Sequence, residues 1–414
     1  MSKKLEQEVW ALDRCCGCGD CVALCSKGVL FWDADRYSPV GSSPSGANGI
    51  PPRRDEYQSP HLEKREKALG LSHTPLDTCS FCQKFCEEAC PRLVETWSSL
   101  EPSRALSVRT IGIVQSGDPN DVIKNLLVAA LSAGLVDGAI LADMDPWTLK
   151  PVTRVAATVG EVVDTLGVPY LWCPPLSSLN EAVFEKEVRN LAVVGAPCVS
   201  QAIRKVRSSQ NERLAPYQQA LRLSISTFCT GVYRPDLFSR FLAEEMGIAP
   251  QSVKRLEASP SQDRLTITRW DGSTVQLRLA QVEGYTRRGC ARCDDYLGES
   301  ADLAVGTVGA KAGYSTVLIR SQAGEIGLRN ALGLGLVEAV EEVDQNALRR
   351  ASEEKERRDR ARAFDQLTVM MLDALEDPLK RSEVKKAFVR LYEVKKPAES
   401  KREEVGCHVT CGEC

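Results

Sequence analysis

The chain has 414 residues, 17 cysteines and a formal net charge of −3. A pI near 5.9 gives no basic footprint for nucleic acid, and the length suggests roughly two or three domains of ~150 residues. The N-terminus lacks the apolar core of a signal peptide, and the longest apolar passage, residues 126–141, is too short to span a membrane. We therefore expect a cytoplasmic protein with no transmembrane segment. In a reducing compartment, clustered cysteines indicate metal or redox chemistry rather than disulfides.

The first cysteine motif lies close to the N-terminus, in CCGCGDCVALC. Its spacers of two, two and three residues are those of a bacterial ferredoxin loop, which directs thiolates at a 4Fe–4S cluster. The four cysteines are Cys15, Cys18, Cys21 and Cys25. Structural zinc is the alternative, and two successive two-residue spacers disfavour it. Cys16 is an extra thiol with no assigned partner.

A second motif follows residues 33–75, whose proline, serine, glycine and charge predict a surface insertion with little core. Its cysteines have spacers of two, three and three residues and end in Cys-Pro: Cys79, Cys82, Cys86 and Cys90. The two motifs predict a small ferredoxin-like domain over residues 1–103, in which each fourth cysteine crosses to the other cluster. One cluster would then take Cys15, Cys18, Cys21 and Cys90, and the other would take Cys79, Cys82, Cys86 and Cys25.

From about residue 104 strands alternate with helices, which predicts an α/β (α+β) core over residues 104–330. We expect strands in residues 111–114, 138–143, 191–198 and 221–231, and helices in residues 121–134 and 201–207. Two of these strands lead into a cysteine, Cys198 and Cys229. Each of the two, taken alone, could be a small buried apolar residue, which is how we interpret Cys173.

A Cys-x-x-Cys pair, Cys290 and Cys293, precedes two β-rich runs that a glycine-rich turn separates. The pattern predicts strand, glycine-rich loop, strand. Glycines let backbone N–H groups approach a phosphate or a flavin closely, and Lys311 could add a charge. A hairpin with a zinc knuckle is the alternative. The pair, together with Cys198 and Cys229, could supply the four thiolates of one cluster.

After residue 324 the chain becomes charged, which predicts a helical extension over residues 331–405. Residues 338–362 are nearly all charged or alanine and predict a solvated helical face, whereas residues 364–392 have helical apolar spacing. The tail, residues 406–414, contains Cys407, Cys411 and Cys414. These three thiols could hold a cluster or zinc if a fourth ligand arrives from elsewhere, or they could belong to a disordered tail.

Four stretches resemble successive motifs of the coenzyme F₄₂₀ hydrogenase/dehydrogenase beta-subunit family: LLVAALSAGLVDGAI, VVGAPC, STFCTG and CARCDDYLGESADLAVGTVGAKAGYSTVLIR. The resemblance covers roughly residues 104–324. It implies an FAD-binding domain with an adjacent 4Fe–4S cluster, hydride exchange with coenzyme F₄₂₀ or another soluble carrier such as NAD(P)H, and redox partner subunits or ferredoxin. Two positions depart from the family pattern: Asp118-Pro119 replaces part of a paired-glycine turn, and Thr307 replaces a common aspartate.

The expected FAD contacts are in the turn before the first helix and in the glycine-rich loop. They are Ser116, Gly117, Gly306, Thr307, Gly309, Lys311, Gly313, Ser315 and Thr316. We expect a flavin and iron–sulfur oxidoreductase subunit, and no catalytic side chain is assigned. The alternatives are an electron-relay subunit without hydride transfer and a zinc-scaffold interaction protein.

Overall fold

The computed structural model describes residues 2–25, 30–33, 38–41, 84–93, 99–111, 116–145, 151–165, 171–259, 263–374 and 377–393. The chain divides into two compact units, residues 1–363 and 364–414. The strands are β1 (Leu30–Asp33), β2 (Ser38–Gly41), β3 (Arg104–Thr110), β4 (Gly138–Met144), β5 (Pro151–Ala156), β6 (Leu191–Gly195), β7 (Leu221–Thr227), β8 (Val253–Ser259), β9 (Arg264–Arg269), β10 (Thr274–Arg278), β11 (Leu303–Gly306), β12 (Ser315–Ile319) and β13 (Val337–Val340).

The α-helices are α1 (Lys3–Leu5), α2 (Asp20–Ala23), α3 (Phe85–Ala89), α4 (Pro119–Ser132), α5 (Val159–Asp164), α6 (Pro197–Ser208), α7 (Ala215–Ala220), α8 (Leu279–Val282), α9 (Gln322–Gly333), α10 (Gln345–Asp373) and α11 (Pro378–Glu393). Wider π-helical turns occur at Glu6–Trp10, Glu181–Glu185 and Leu237–Glu245, and 3₁₀ turns at Pro91–Leu93, Pro175–Ser178, Glu212–Leu214, Pro250–Ser252, Glu283–Tyr285 and Arg288–Arg292.

An eight-stranded mixed sheet forms the centre of the first unit, in the order β13-β3-β12-β11-β7-β6-β4-β5. The strands β4, β6, β7 and β11 are parallel to one another. β12 lies antiparallel between β11 and β3, and β13 and β5 pair antiparallel at the two edges. Since the four parallel strands end at one edge of the sheet, the loops that follow them converge there.

Helices cover both faces of this sheet. Neighbouring residues of β4 face opposite sides, so Ala139 packs beneath α4 and α9, while Ile140 packs in the core beneath α6 and α7. Leu126 of α4 and Tyr217 of α7 are fully buried in these two layers. Burying one large apolar side chain contributes roughly 1.5–3 kcal/mol, so both layers hold the sheet edge in place.

These elements confirm the expected mixed α/β core, with shifts at several boundaries. The helices expected in residues 121–134 and 201–207 lie in α4 and α6, and the hairpin expected around the glycine-rich loop is β11–β12. The first strand ends at Thr110, before the expected range, and residues 112–115 lie outside the described residues. Residues 337–340 are not helical as expected, because Val337 is buried at the sheet edge, where it pairs with Thr110.

A three-stranded antiparallel sheet, β10-β9-β8, was not expected from the sequence. Its buried Leu265 and Ile267 alternate along β9, and the turn between β9 and β10 contains Asp271-Gly272, with Gly272 at φ +82°. Alternating apolar residues around Asp-Gly are a hairpin signal, so this element was available from local pattern alone.

The ferredoxin-like region is described in part. Helices α2 and α3 pack against each other, and β1 pairs with β2 as a hairpin. Four cysteines of the two motifs are buried in one small core: Cys21, Cys25, Cys86 and Cys90. Cys79 and Cys82 lie outside the described residues, so the two-cluster ferredoxin fold stays a prediction.

The second unit contains the C-terminal part of α10 and the whole of α11. Within it the rings of Phe364 and Phe388 meet edge to face, with centroids 5.7 Å apart. No helix in the described part of the chain is long and apolar enough to cross a membrane. The cysteines of the tail lie outside the described residues.

Candidate redox site

The N-terminal cysteine loop packs directly onto the segment around Trp172, which precedes β6. Gly17 and Gly19 have φ values of +74° and +88°, a conformation that glycine adopts readily. The indole Nε1 of Trp172 donates a hydrogen bond to the carbonyl of Gly17 at 3.0 Å. A Cβ on Gly17 would lie 2.1 Å from that nitrogen, so this approach requires glycine.

Arg287 holds the start of the same loop. Its Nε donates to the carbonyl of Cys15 at 3.0 Å, and its Nη2 lies 3.4 Å from the Cys15 sulfur. The guanidinium carbon lies 4.8 Å from the ring centroid of Trp172. Burial raises the pKa of Cys15, and the charge of Arg287 partly offsets that rise. The loop is therefore anchored by a cation that also acts on its first thiol.

Cys16 links the N-terminal loop to the sheet. Its thiol makes side-chain hydrogen bonds with Cys18 and Cys198, which lower the pKa of Cys16. The same bonds are the largest cause of the raised pKa of Cys18 and of Cys198, and burial is the second. Cys198 lies nearly two hundred residues after Cys16 in the chain, so sequence spacing could not assign this partner.

Arg92 is a second cation that the sequence did not indicate. It follows the last cysteine of the second motif and is 7% exposed. Burial alone would lower its pKa, but the pKa is raised by the negative charges of Cys293, Cys16 and Cys198. A buried guanidinium needs anionic groups around it, and thiolates of both cysteine regions would supply them.

The four cysteines expected to form the cluster of the central domain come together at the sheet edge. Cys198 lies in the first turn of α6, and Cys229 lies two residues beyond β7. The charges of Cys290 and Cys293 act on Cys229, and that of Cys293 also acts on Cys198. Burial, the largest influence, raises the pKa of Cys229 to about 12. The backbone N–H of Val232 donates to the Cys290 sulfur at 3.5 Å.

This group of thiols has the donor chemistry of an iron–sulfur cluster. Among the described residues, no three Cys, His, Asp or Glu side chains are close enough to hold one metal ion. A 4Fe–4S cluster attaches each thiolate to a different iron, so its ligands stand further apart than the ligands of one zinc ion. Thiols on converging segments, with an N–H directed at one sulfur, match that donor set. Ligation itself stays a prediction.

Helix α10 adds a buried lysine to the same group. Lys355 is 2% exposed, and its Nζ lies 2.8 Å from the Oδ2 of Asp359, which is also buried. Burial alone would lower the pKa of Lys355, but the charges of Cys293, Asp359 and Cys229 raise it. The expectation of a solvated face over residues 338–362 is therefore wrong at these two positions.

A cleft with a cavity volume of about 110 Å³, partly open to solvent, lies where β4, β6 and β7 end. It runs between the first turns of α4 and α6, which cover opposite faces of the sheet, and this is where doubly wound folds bind ligands. The thiols that line the cleft belong to Cys16, Cys18, Cys173 and Cys198.

The predicted flavin contacts come together at the same sheet edge but outside the cleft lining. Ser315 Oγ donates to the carbonyl of Gly117 at 2.6 Å, and a Cβ on Gly117 would lie 2.2 Å from the Gly313 carbonyl oxygen. Thr316 Oγ1 donates to the Val308 carbonyl at 2.8 Å, while Thr307 is exposed. These hydroxyls therefore shape the loop itself.

The remaining loop residues leave room beside the backbone. Gly309 and Gly313 have φ values of +83° and +78°, and no atom lies within 4 Å of a Cβ placed on Gly313. The backbone N–H of Lys311 donates to Ser107 Oγ at 2.9 Å, and its Nζ lies 3.3 Å from Glu342. Gly306 packs against Phe228. The flavin contacts proposed for Ser116 and this loop stay predictions.

The α/β sheet carries a cleft with several thiols at its parallel strand ends, and comparisons with known proteins give the class as an oxidoreductase subunit. Models of the coenzyme F₄₂₀ hydrogenase/dehydrogenase beta subunit match residues 115–180 (N-terminal part) and 188–345 (C-terminal part). The chain belongs to this family.

Relatives in archaea extend the likeness beyond these matched ranges. An uncharacterized protein of Methanocaldococcus jannaschii is 36% identical over 86% of this chain and 97% of its own length. The coenzyme F₄₂₀ hydrogenase beta subunit of Methanosarcina barkeri is 30% identical over 59% of this chain and 84% of its own. A chain in a structure of the F₄₂₀-reducing [NiFe] hydrogenase complex of M. barkeri has a similar fold (TM-score 0.58, 24% identity, 67% of this chain and 96% of that one).

Proposed function

We propose that the protein is a redox subunit that exchanges hydride between FAD and coenzyme F₄₂₀ or a similar soluble carrier. It passes single electrons through 4Fe–4S clusters to a partner subunit or ferredoxin in the cytoplasm. Family membership supports the carrier and the partner subunits, since a relative is the beta subunit of an F₄₂₀ hydrogenase.

The observation that carries the proposal is the cleft wall. Thiols of the N-terminal loop, Cys16 and Cys18, and of the sheet edge, Cys198, line one cleft. A flavin accepts hydride and releases electrons one at a time, so a two-electron carrier and one-electron centres would be neighbours here. A two-electron carrier beside one-electron centres is typical of electron-transfer proteins.

The residues of the cleft suit a flat, partly anionic ligand. Leu141, Val162 and Leu171 provide apolar walls that exclude water. Helix α6 begins at this wall, and its N-cap Ala196 makes no side-chain capping bond, so the helix dipole favours a phosphate there. Lys124 supplies a cation on the opposite wall.

Cleft binding is tested by filling the space. Asn120, half-buried in the first turn of α4, lines the cleft, and in Asn120→Trp the indole should displace the flavin. Asn330→Trp, at a half-buried helical position outside the cleft lining, is the control. Flavin per chain is measured after anaerobic purification. Full flavin content and full reduction by reduced F₄₂₀ in Asn120→Trp would contradict this location.

The loop between β11 and β12 has its own test. Gly313→Val meets no protein atom but strains a backbone with φ +78°, so only flavin loss greater than in a variant with the same strain reports a clash with the ligand. Gly335→Val is matched, because Gly335 also has positive φ and open space around it. Loss of FAD in Gly313→Val alone supports contact with Gly306, Thr307 and Gly313. Equal flavin in both variants removes the loop from the site.

The proposal also covers the N-terminal motifs, with two clusters, and the tail, with one further metal centre. Cys407, Cys411 and Cys414 would bind that centre with a ligand from elsewhere. Deleting residues from Gly406 onward should lower the metal content by one centre and leave flavin reduction intact. Equal metal content with and without the tail, alone and with the partner, would leave only a tail with free thiols.

An electron-relay subunit without flavin is the second candidate. It is favoured by the loop hydroxyls of Ser315 and Thr316, which are bonded within the protein. Iron, sulfide and flavin are quantified in anaerobically purified protein, followed by reduction with reduced F₄₂₀, NADH or reduced ferredoxin. Iron and sulfide without flavin, and reduction by ferredoxin alone, would select the relay.

A further inference from the structure

Lys355 is an unusual residue for its position, because its helix is otherwise strongly charged and its ammonium is buried. The side chain is one of the largest fully buried ones in the described part of the chain. Burying an isolated charge costs several kcal/mol unless anions compensate it. The groups around Lys355 should therefore reveal why the ammonium lies there.

Its carboxylate partner provides only part of that compensation. Asp359 lies 2.8 Å from Lys355 Nζ, but it also lies 3.1 Å from Arg358 and 3.4 Å from Arg362. One carboxylate is thus shared by three cations. Glu283 pairs with Arg362 at the surface and does not contact Lys355 in the described structure.

The face of α10 that carries Lys355 lies beside the thiols, because Leu348 and Ala351, two turns and one turn earlier, pack with Phe228, the residue before Cys229. The charge of Cys293 raises the pKa of Lys355 more than the charge of Asp359 does, and the charge of Cys229 raises it less. The charge of Lys355 also lowers the pKa of Cys290 and of the buried carboxyl of Asp295, partly offsetting the effect of burial. The Asp295 oxygens accept hydrogen bonds from the Glu299 N–H and from the Gln201 amide.

Further cations and weak acids complete this environment. Burial raises the pKa of Tyr296, and the charges of Lys355 and Arg358 partly offset that rise. Arg358 donates a hydrogen bond to the carbonyl of Thr230, next to Cys229. Neutral thiols are poor partners for an ammonium, whereas thiolates bound to iron carry negative charge. The position of Lys355 therefore makes sense if these thiols hold an anionic group.

We propose that Lys355 sets the reduction potential of the cluster held by Cys198, Cys229, Cys290 and Cys293, an inference that rests on the proposed function. A cluster with four thiolates is negative, and reduction adds one more negative charge. A fixed ammonium nearby stabilises the reduced form more than the oxidised form. One electron enters the cluster, no bond is made or broken, and Lys355 keeps its proton, so it is a positioning residue.

The test is an anaerobic redox titration with dithionite and mediators, followed by EPR. The relevant signal is the one that Cys229→Ser removes. In Lys355→Met the ratio of reduced to oxidised cluster at a given potential should fall about tenfold, which is a midpoint ~59 mV lower for a one-electron couple. Lys355→Arg should keep most of the wild-type potential, because it retains the charge.

Arg349→Met is the matched control, since it removes one positive charge from the same helix at a side chain that is 69% exposed. Water screens that charge, so the ratio should change less than twofold. Where Lys355→Met yields no folded protein, Asp359→Asn tests the same idea with the opposite sign: the reduced fraction should rise because a negative charge is lost.

Two failures are distinguishable. A full iron content with an unchanged potential in Lys355→Met, or in Asp359→Asn where it replaces that variant, overturns the role of Lys355 and leaves the proposed function intact. A wild-type protein with no EPR signal that depends on Cys229 overturns the cluster, and with it both proposals.

Discussion

The N-terminal loop and the sheet edge both gather thiols, but they do so differently. In the loop, Cys15 to Cys25 are neighbours in sequence, and two glycines turn the backbone so that the thiols converge. At the sheet edge the cysteines come from three separate segments: the parallel strands β6 and β7 lead into Cys198 and Cys229, and the Cys290/Cys293 pair comes from the 3₁₀ turn before β11. Local spacing assembles the first group, and topology assembles the second.

The charges around the two groups differ as well. Arg287 contacts Cys15 in the loop, whereas Lys355 faces the sheet edge from a helix more than sixty residues further along the chain. Arg92 is shared, because it faces Cys16 as well as Cys198 and Cys293. Ligand positions follow from short motifs, while the charges that would tune them arrive through long-range packing.

The largest expected effect separates the two groups. Cys229→Ser should remove one 4Fe–4S cluster and leave the clusters of the N-terminal motifs, whereas Cys18→Ala should remove an N-terminal cluster and leave flavin bound. A bound cluster needs each thiolate, so each variant should lose one cluster's iron. Iron and sulfide per chain, together with EPR, measure this loss. Unchanged iron and EPR signals in either variant would contradict the corresponding ligand set.

Docking of the loop onto the sheet domain should be sensitive to one added methyl group. Gly17→Ala forces a Cβ into Trp172 at a residue with positive φ, so the free energy of unfolding should fall by about 2–4 kcal/mol. Gly134→Ala is the control: Gly134 also has positive φ but open space, so about 1 kcal/mol is expected. Anaerobic denaturant unfolding measures both. Equal losses would show that the contact with Trp172 is unimportant.

Arg92→Met should distinguish the role of Arg92, which faces both groups of thiols, from that of Lys355, which faces only the sheet edge. Because Arg92 faces thiols of both groups, its loss should lower the potentials of an N-terminal cluster and of the sheet-edge cluster, each by severalfold in the reduced-to-oxidised ratio. Lys355→Met should affect only the sheet-edge cluster. EPR-monitored titration resolves the two signals. A shift confined to one cluster in Arg92→Met would contradict its placement between the groups.

The smallest effect concerns a cleft thiol assigned to neither group. Burial raises the pKa of Cys173 to about 11, so at pH 8 only roughly a thousandth of it is thiolate. Since the thiolate is the reactive form, iodoacetamide should label Cys173 slowly at pH 8 and faster as the pH approaches 11. Peptide mass spectrometry follows the rate. Labelling at pH 8 as fast as that of a free model thiol would contradict the buried, protonated state.

Sequence patterns predicted the elements whose signals are local. The β11–β12 hairpin follows from two apolar runs around Gly309 and Gly313, and α4 follows from its helical apolar spacing. Strand β13 was missed because residues 337–340 are weakly apolar and pair with β3, far away in sequence.

For the candidate site the same limit holds. Cysteine spacing and strand ends indicated the thiols, but Cys16, Arg92, Lys355 and the cleft depend on segments that meet only after folding. A charged helix gives no sequence signal that one of its lysines will be buried, since burial is decided by the surface on which the helix packs.

The central claim is that a two-electron carrier delivers electrons to one-electron centres whose thiols line one cleft. It is tested most directly by adding one equivalent of reduced F₄₂₀ to the anaerobic, cofactor-replete protein and recording absorption and EPR spectra. Oxidation of F₄₂₀ with bleaching of the flavin and the appearance of reduced-cluster signals is the predicted result. Clusters that dithionite reduces but reduced F₄₂₀ leaves oxidised, with the flavin unchanged, would contradict it.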